Sequence, residues 1–118
     1  MQFICYAKCT TCQKARKWLE DHQIPFEERP IKEQNPTADE LKAWQQKSGL
    51  PLRRFFNTSG MLYRELKLTE RLPEMGEDEQ IGLLASNGML VKRPILVNGD
   101  TVLVGFKEPE WSASLLNG

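Results

Sequence analysis

Residues 2–12 read QFICYAKCTTC and place two cysteines, three positions apart, soon after a short apolar stretch. Residues 2–6 predict a buried β-strand because the stretch is apolar on both faces. A helix is predicted to begin near Thr10, so Cys9 and Cys12 lie at its N-terminal end. Backbone N–H groups there have no partner inside the helix, and the helix dipole is positive at that end. Both effects stabilise a thiolate, so we expect the pKa of Cys9 to lie below the usual value of about 8.5.

Downstream of the cysteines, the hydrophobic pattern predicts a helix and then a second strand. Residues 10–23 form the helix, with Ala15, Trp18 and Leu19 on one face and charged side chains on the other. Residues 26–31 form the strand. A strand, a helix and a strand within so short a span make a βαβ unit, in which the two strands pair in parallel.

A helical region follows. Thr37 and Glu40 have the spacing of a capping box and predict a helix start, and that helix is expected to end at Ser48-Gly49. Residues 51–72 predict short helices broken near Asn57-Thr58-Ser59-Gly60, and residues 77–86 predict a further amphipathic helix.

The last part of the chain predicts a hairpin. Residues 93–97 and 101–104 read as antiparallel strands joined by the turn Asn98-Gly99-Asp100, and residues 109–115 read as a final short helix. The order βαβ, helices, ββα is that of the thioredoxin fold, an α/β fold with a four-stranded mixed sheet. In that order the first strand lies inside the sheet, and its C-terminal end directs the dithiol towards solvent.

Length and charge limit the classes of protein that remain. The 118 residues fit a single domain, 1–118, with a helical insertion at about 37–90 between the two halves of the fold. Sixteen basic side chains balance sixteen acidic ones, so we expect no direct binding to nucleic acid.

No apolar run has the length of a membrane span and Met1 opens no signal peptide, so we expect no membrane association and a cytoplasmic location. Paired cysteines in that compartment are more often redox or metal groups than structural disulfides.

Six segments together resemble the arsenate reductase (ArsC)/Spx family, most closely its small Spx/ArsC-like (YusI-like) proteins. The resemblance covers nearly the whole chain, from CTTCQKARKWLE at 9–20 to IPF at 24–26, FFNTSG at 55–60, LLASNGML at 83–90, KRPIL at 92–96 and VGF at 104–106. It implies that Pro94 is the cis-proline of the thioredoxin fold, which lies against the dithiol, and that Arg93 lies near Cys9.

The cysteines favour redox chemistry over metal binding. Cys9 is the candidate nucleophile, and Cys12, one turn into the helix and more buried, is the candidate resolving thiol. A structural zinc site needs four ligands, and only Cys5, in a strand, and His22, at the far end of the helix, remain to complete it. We expect no metal and no organic cofactor. Cys5 is expected to be a core residue.

Arg93 is a further candidate catalytic residue, and Lys8, Thr10, Thr11 and Pro94 are candidates for binding the substrate or shaping the site. Lys8, next to Cys9, adds positive charge that would lower the thiol pKa, although it also reads as a solvated loop residue. Thr10 and Thr11 stand between the cysteines, where side chains tune the stability of the disulfide relative to the dithiol. Arg93 could stabilise the thiolate or bind an anionic substrate through its planar guanidinium.

The resemblance leaves three functions open. The first is a thiol-disulfide oxidoreductase that takes electrons from a thioredoxin- or glutathione-like thiol donor and acts as a monomer. The second is a redox-sensing Spx-like regulator that binds a protein partner such as the RNA polymerase α subunit. The third is arsenate reduction, but the family's arsenate reductases use three arginines, and only Arg93 matches; Asn57 and Gly105 or a neighbour stand at the other two positions.

Overall fold

The computed structural model describes residues 1–116, which contain a four-stranded mixed sheet. Its strands are β1 (Gln2–Cys5), β2 (Glu27–Pro30), β3 (Ile95–Asn98) and β4 (Thr101–Val104), in the order β2-β1-β3-β4. Strand β1 pairs in parallel with β2 and antiparallel with β3, and β3 pairs antiparallel with β4. The mixed α/β sheet with the first strand in its interior is therefore confirmed.

Six α-helices in residues 1–116 accompany the sheet, three of them of ten residues or more. They are α1 (Thr10–Asp21), α2 (Ala38–Ser48), α3 (Met61–Glu65), α4 (Leu68–Arg71), α5 (Glu77–Ser86) and α6 (Glu108–Leu115). Short 3₁₀ turns at Leu52–Phe55, Leu72–Glu74 and Gly88–Leu90 complete the helical region. None of these helices is both long and apolar enough to cross a bilayer.

One structural unit comprises Met1–Pro30 and the chain from Arg93 onward, and it contains the whole sheet, α1 and α6. Its core packs the buried face of α1 and the sheet around Trp111, which is fully buried. The Trp111 indole N–H donates to the Gly105 carbonyl at 3.0 Å, so its polar atom is satisfied inside the core. The rings of Phe3 and Trp18 meet Trp111 edge to face. Helix α1 is thereby held firmly at the end of β1.

Several element boundaries differ from the sequence prediction by one or two residues, two of them for clear local reasons. Helix α1 ends at Asp21 and not at 23, because Gln23 adopts the left-handed backbone with φ 55° that stops a helix. Strand β3 begins at Ile95 and not at 93, because Pro94 has no N–H to donate to a neighbouring strand.

The other structural unit spans Ile31–Lys92 and is helical, and the insertion expected at 37–90 falls within it. Helix α2 has the predicted capping box: the Glu40 N–H donates to the Thr37 hydroxyl at 3.1 Å, and the Thr37 N–H donates to the Glu40 carboxylate at 3.0 Å. Gly49 ends α2 in the left-handed conformation, φ 69°. The core of this unit consists of Leu41, Trp44, Phe55, Phe56, Leu68, Leu84 and other buried apolar side chains.

Replacing Thr37 with alanine should lower the free energy of unfolding by about 1 kcal/mol, because the first turn of α2 loses its side-chain acceptor. Urea titration followed by circular dichroism measures the change. Thr37→Ser keeps the hydroxyl and should lie close to the parent protein. Equal stability of the alanine and serine variants would contradict a capping role for Thr37.

Candidate active site

Cys9 lies where the turn after β1 meets α1. The Cys9 N–H donates to the Tyr6 carbonyl at 3.0 Å, which closes a four-residue turn. Cys9 is the residue immediately before the first turn of α1, with an extended backbone at φ −84° and ψ 122°. Its side chain is partly exposed. The thiol is thus at the N-terminal end of the helix and within reach of solvent, as the sequence predicts.

The pKa of Cys9 is lower than usual. Partial burial raises it, but the backbone N–H of Cys12, the Cys12 thiol, the Arg93 side chain and the backbone N–H of Thr11 together outweigh burial and lower it. The neutral Cys9 thiol makes no full capping hydrogen bond to the helix. These donors therefore act mainly on the Cys9 thiolate, which accepts shorter and stronger hydrogen bonds than the neutral thiol does. The arrangement stabilises a thiolate at Cys9.

The second thiol has the opposite environment. Cys12 is fully buried on the inner face of α1. Burial raises its pKa, the Tyr6 N–H that points at its sulfur from 3.3 Å lowers it, and the charge on Cys9 raises it further, to about 12. At neutral pH, Cys12 is therefore protonated and can donate to the sulfur of Cys9.

Arg93 and Tyr6 complete the site. The Arg93 guanidinium carbon lies 5.0 Å from the centroid of the Tyr6 ring, a cation–π contact. The Arg93-Pro94 peptide bond is cis, as the family resemblance implies. Within residues 1–116, Nε and Nη1 of Arg93 are buried and have no hydrogen-bond partner. The Arg93 side chain also interacts with Cys9 and lowers its pKa, while Nε and Nη1 remain as unused donors.

Of the remaining candidates from the sequence, Lys8, Thr10 and Thr11 are exposed and Pro94 is buried. Lys8 is exposed in the turn, and the lowered pKa of Cys9 is explained by helix N–H groups, Cys12 and Arg93. Thr10 and Thr11 are exposed in the first turn of α1; Thr11 acts on Cys9 through its backbone N–H. Pro94 is buried, and its carbonyl accepts from the Gly105 N–H at 2.8 Å.

Cys5 lies in the core, as predicted, but with a polar neighbour that the sequence pattern does not indicate. Arg16 on α1 donates to the Cys5 sulfur at 3.6 Å and pairs with Glu28 on β2 at 2.7 Å. Burial and the charge of Glu28 raise the pKa of Cys5, and Arg16 lowers it only in part. The net effect keeps Cys5 a neutral thiol, so it is a poor nucleophile.

A sequence profile of the ArsC family matches residues 5–114. The chain belongs to the ArsC family. It is 57% identical over 94% of its length to YusI from Bacillus subtilis, of which it covers 94%. It is 33% identical over 86% of its length to the global transcriptional regulator Spx of Enterococcus faecalis, of which it covers 76%. The crystal structure of an ArsC family related protein from Bacteroides fragilis matches it with a TM-score of 0.93 at 56% identity, over 95% of this chain and 94% of that one.

The helical unit of this ArsC-family protein contains a cavity of about 550 Å³. Its lining contains neither a thiol nor a histidine. The lining is formed by Gln45, Pro51, Leu52, Arg53, Tyr63, Thr69, Leu72, Pro73, Glu77 and Gln80. Across residues 1–116, no three metal-ligating side chains lie close enough together to bind an ion.

In the reduced ArsC-family protein at pH 7, a limiting amount of iodoacetamide should label Cys9 before Cys12 and Cys5. The reason is that only Cys9 is both accessible and easily ionised. The labelling rate should fall as the pH drops through the Cys9 pKa, with a midpoint below that of an ordinary cysteine thiol. Mass spectrometry of peptides locates the label, and Cys9→Ser provides the blank. Equal labelling of the three thiols would contradict this assignment.

Arg93→Met should raise the midpoint of that pH profile and slow labelling at pH 7 severalfold, since the thiolate loses its cationic neighbour. Lys8→Met is the matched control, because it removes an equal charge from the residue next to Cys9 in sequence. The midpoint in Lys8→Met should stay near that of the parent. A larger shift in Lys8→Met than in Arg93→Met would contradict the structure.

Proposed function

We propose that this ArsC-family chain is a thiol-disulfide oxidoreductase in which Cys9 attacks a disulfide and Cys12 resolves the product. One observation carries the proposal. Two thiols at one helix N-terminus are in direct contact, and their pKa values are shifted in opposite directions. A partly exposed thiolate beside a buried thiol is the arrangement that a two-step exchange requires.

In the first step, the Cys9 thiolate attacks one sulfur of the substrate disulfide. A new S–S bond forms between Cys9 and that sulfur, the substrate S–S bond breaks, and the second substrate sulfur leaves as a thiolate. The accessible position of Cys9 and its lowered pKa support this role.

In the second step, Cys12 loses its proton and attacks the Cys9 sulfur, which releases the first substrate sulfur as a thiolate. The proton of Cys12 passes to one of the two released thiolates, and the other takes a proton from solvent. The negative charge of Cys9 is one cause of the high pKa of Cys12, and that charge is gone once Cys9 is in the mixed disulfide. The Tyr6 N–H remains to stabilise the Cys12 thiolate as it forms. Formation of the mixed disulfide thus removes one cause of the high Cys12 pKa, which makes the attack by Cys12 easier.

The full cycle transfers two electrons from the thiol donor to the substrate disulfide. The substrate disulfide is reduced to two thiols, the Cys9–Cys12 dithiol is oxidised to a disulfide, and a thioredoxin- or glutathione-like thiol donor reduces it again. The chemistry requires neither metal nor organic cofactor. Arg93 is proposed to stabilise the Cys9 thiolate and, through its unused buried N–H groups, to bind an acceptor on the substrate.

A second candidate function is redox sensing. Similarity to the regulator Spx extends over most of the chain and supports it. The same dithiol would then report oxidation by changing affinity for a protein partner such as the RNA polymerase α subunit, with little turnover. Arsenate reduction has weaker support, since of the three arginines that the family's arsenate reductases use only Arg93 has a counterpart.

The mechanism predicts the stoichiometry of reaction with an aromatic disulfide, such as 5,5′-dithiobis(2-nitrobenzoate), that releases a coloured thiolate. The reduced parent should release two equivalents per chain and end as an internal disulfide. Cys12→Ser should release one equivalent and retain the other half as a stable adduct. Cys9→Ser should react slowly, because its remaining thiols are buried. Absorbance gives the count, and mass spectrometry detects the adduct.

Cys5→Ser is the matched control for this experiment and should behave like the parent, because Cys5 lies outside the exchange. Rapid release of two equivalents by Cys9→Ser would overturn the mechanism. If the parent releases two equivalents once but does not turn over a protein disulfide when dithiothreitol is supplied, the sensor function is favoured over the oxidoreductase.

A further inference from the structure

Tyr6 contacts all three groups that form the candidate site. Its carbonyl accepts from the Cys9 N–H at 3.0 Å, and its own N–H points at the Cys12 sulfur from 3.3 Å. Its ring lies against the guanidinium of Arg93, 5.0 Å from centroid to carbon. Backbone and side chain of one residue thus connect the two thiols to the arginine beside them.

We propose that Tyr6 is a positioning residue, whose ring holds the Arg93 guanidinium beside Cys9 while its backbone ties both cysteines to the end of β1. The inference rests on the proposed function, which needs Cys9 kept reactive, and it assigns a residue to that task. Tyr6 itself transfers no proton and forms no bond to substrate.

The ring matters because arginine is a long side chain with many rotamers. A planar guanidinium gains attraction when it stacks on an aromatic face, which limits the positions that it samples. Within residues 1–116, its Nε and Nη1 atoms have no hydrogen-bond partner that could do the same. The Arg93 side chain contacts the Tyr6 ring and interacts with Cys9. Without the ring, Arg93 spends less time near the sulfur.

Backbone and ring of Tyr6 act through different atoms and can be separated by mutation. A side-chain substitution leaves the Tyr6 N–H and carbonyl in place, so the turn to Cys9 and the contact with Cys12 persist. The ionisable groups that act on Cys9 are Cys12 and Arg93 in contact with it, and Cys5 at longer range. Of these groups, Arg93 contacts the Tyr6 ring.

The test is the pH profile of Cys9 alkylation by iodoacetamide in the full chain, measured for Tyr6→Phe, Tyr6→Leu and Tyr6→Leu combined with Arg93→Met. Tyr6→Phe keeps an aromatic face and should match the parent. Tyr6→Leu should raise the midpoint and slow labelling at pH 7, by no more than Arg93→Met does alone. In the Arg93→Met background, Tyr6→Leu should change neither the midpoint nor the labelling rate at pH 7 any further. Circular dichroism reports whether each variant is folded, and Tyr6→Met replaces Tyr6→Leu if the latter does not fold.

An unchanged midpoint in Tyr6→Leu overturns the proposal. So does an equal upward shift with and without Arg93, because Tyr6 would then act on the helix end and not through the arginine. The alkylation assay uses no disulfide substrate. A failed exchange experiment with an intact Tyr6–Arg93 coupling would therefore reject the proposed function and leave the positioning role of Tyr6 standing.

Discussion

The hydrogen bond from the Cys9 N–H to the Tyr6 carbonyl determines how β1 meets α1, and the site depends on that junction. It closes a turn that brings Cys9 to the end of the helix, where free N–H groups stabilise a negative sulfur. Weakening this turn would move Cys9 away from Thr11, Cys12 and Arg93 together. Aromatic packing around Trp111 holds α1 in place behind the turn, so the reactive end of the helix is fixed by the core and not by the loop alone.

The difference between the two thiols follows from the geometry of one helical turn. A residue just before the helix faces the N–H groups and solvent, whereas the residue three positions later faces the sheet. Cys9 therefore has a lowered pKa and Cys12 a raised one, although both belong to the same short motif. Because the charge on Cys9 contributes to the high pKa of Cys12, the two sulfurs are coupled, and a covalent change at the first alters the second.

Local signals in the chain predicted most of the architecture. The apolar stretch before Cys9, the capping box at Thr37 and the turn at Gly99 each depend on neighbours in sequence, and each lies where it was expected. Boundaries were less accurate where a single residue changed the backbone, as at Gln23 and Pro94. The roles of Tyr6 and Arg16 were not anticipated, because each depends on a partner more than ten positions away along the chain.

The sequence by itself determined the dithiol, its place between a strand and a helix, and the order of elements of the ArsC family, because these are properties of residues next to one another. Only the tertiary structure decided which cationic side chain stabilises the Cys9 thiolate. Lys8 is adjacent to Cys9 but exposed, while Arg93 is far away in sequence and is brought beside Cys9 by the pairing of β3 with β1. The strength of an electrostatic interaction depends on the distance between the charges in space. Strand pairing brings together residues that are far apart in sequence, so sequence spacing alone does not reveal that distance.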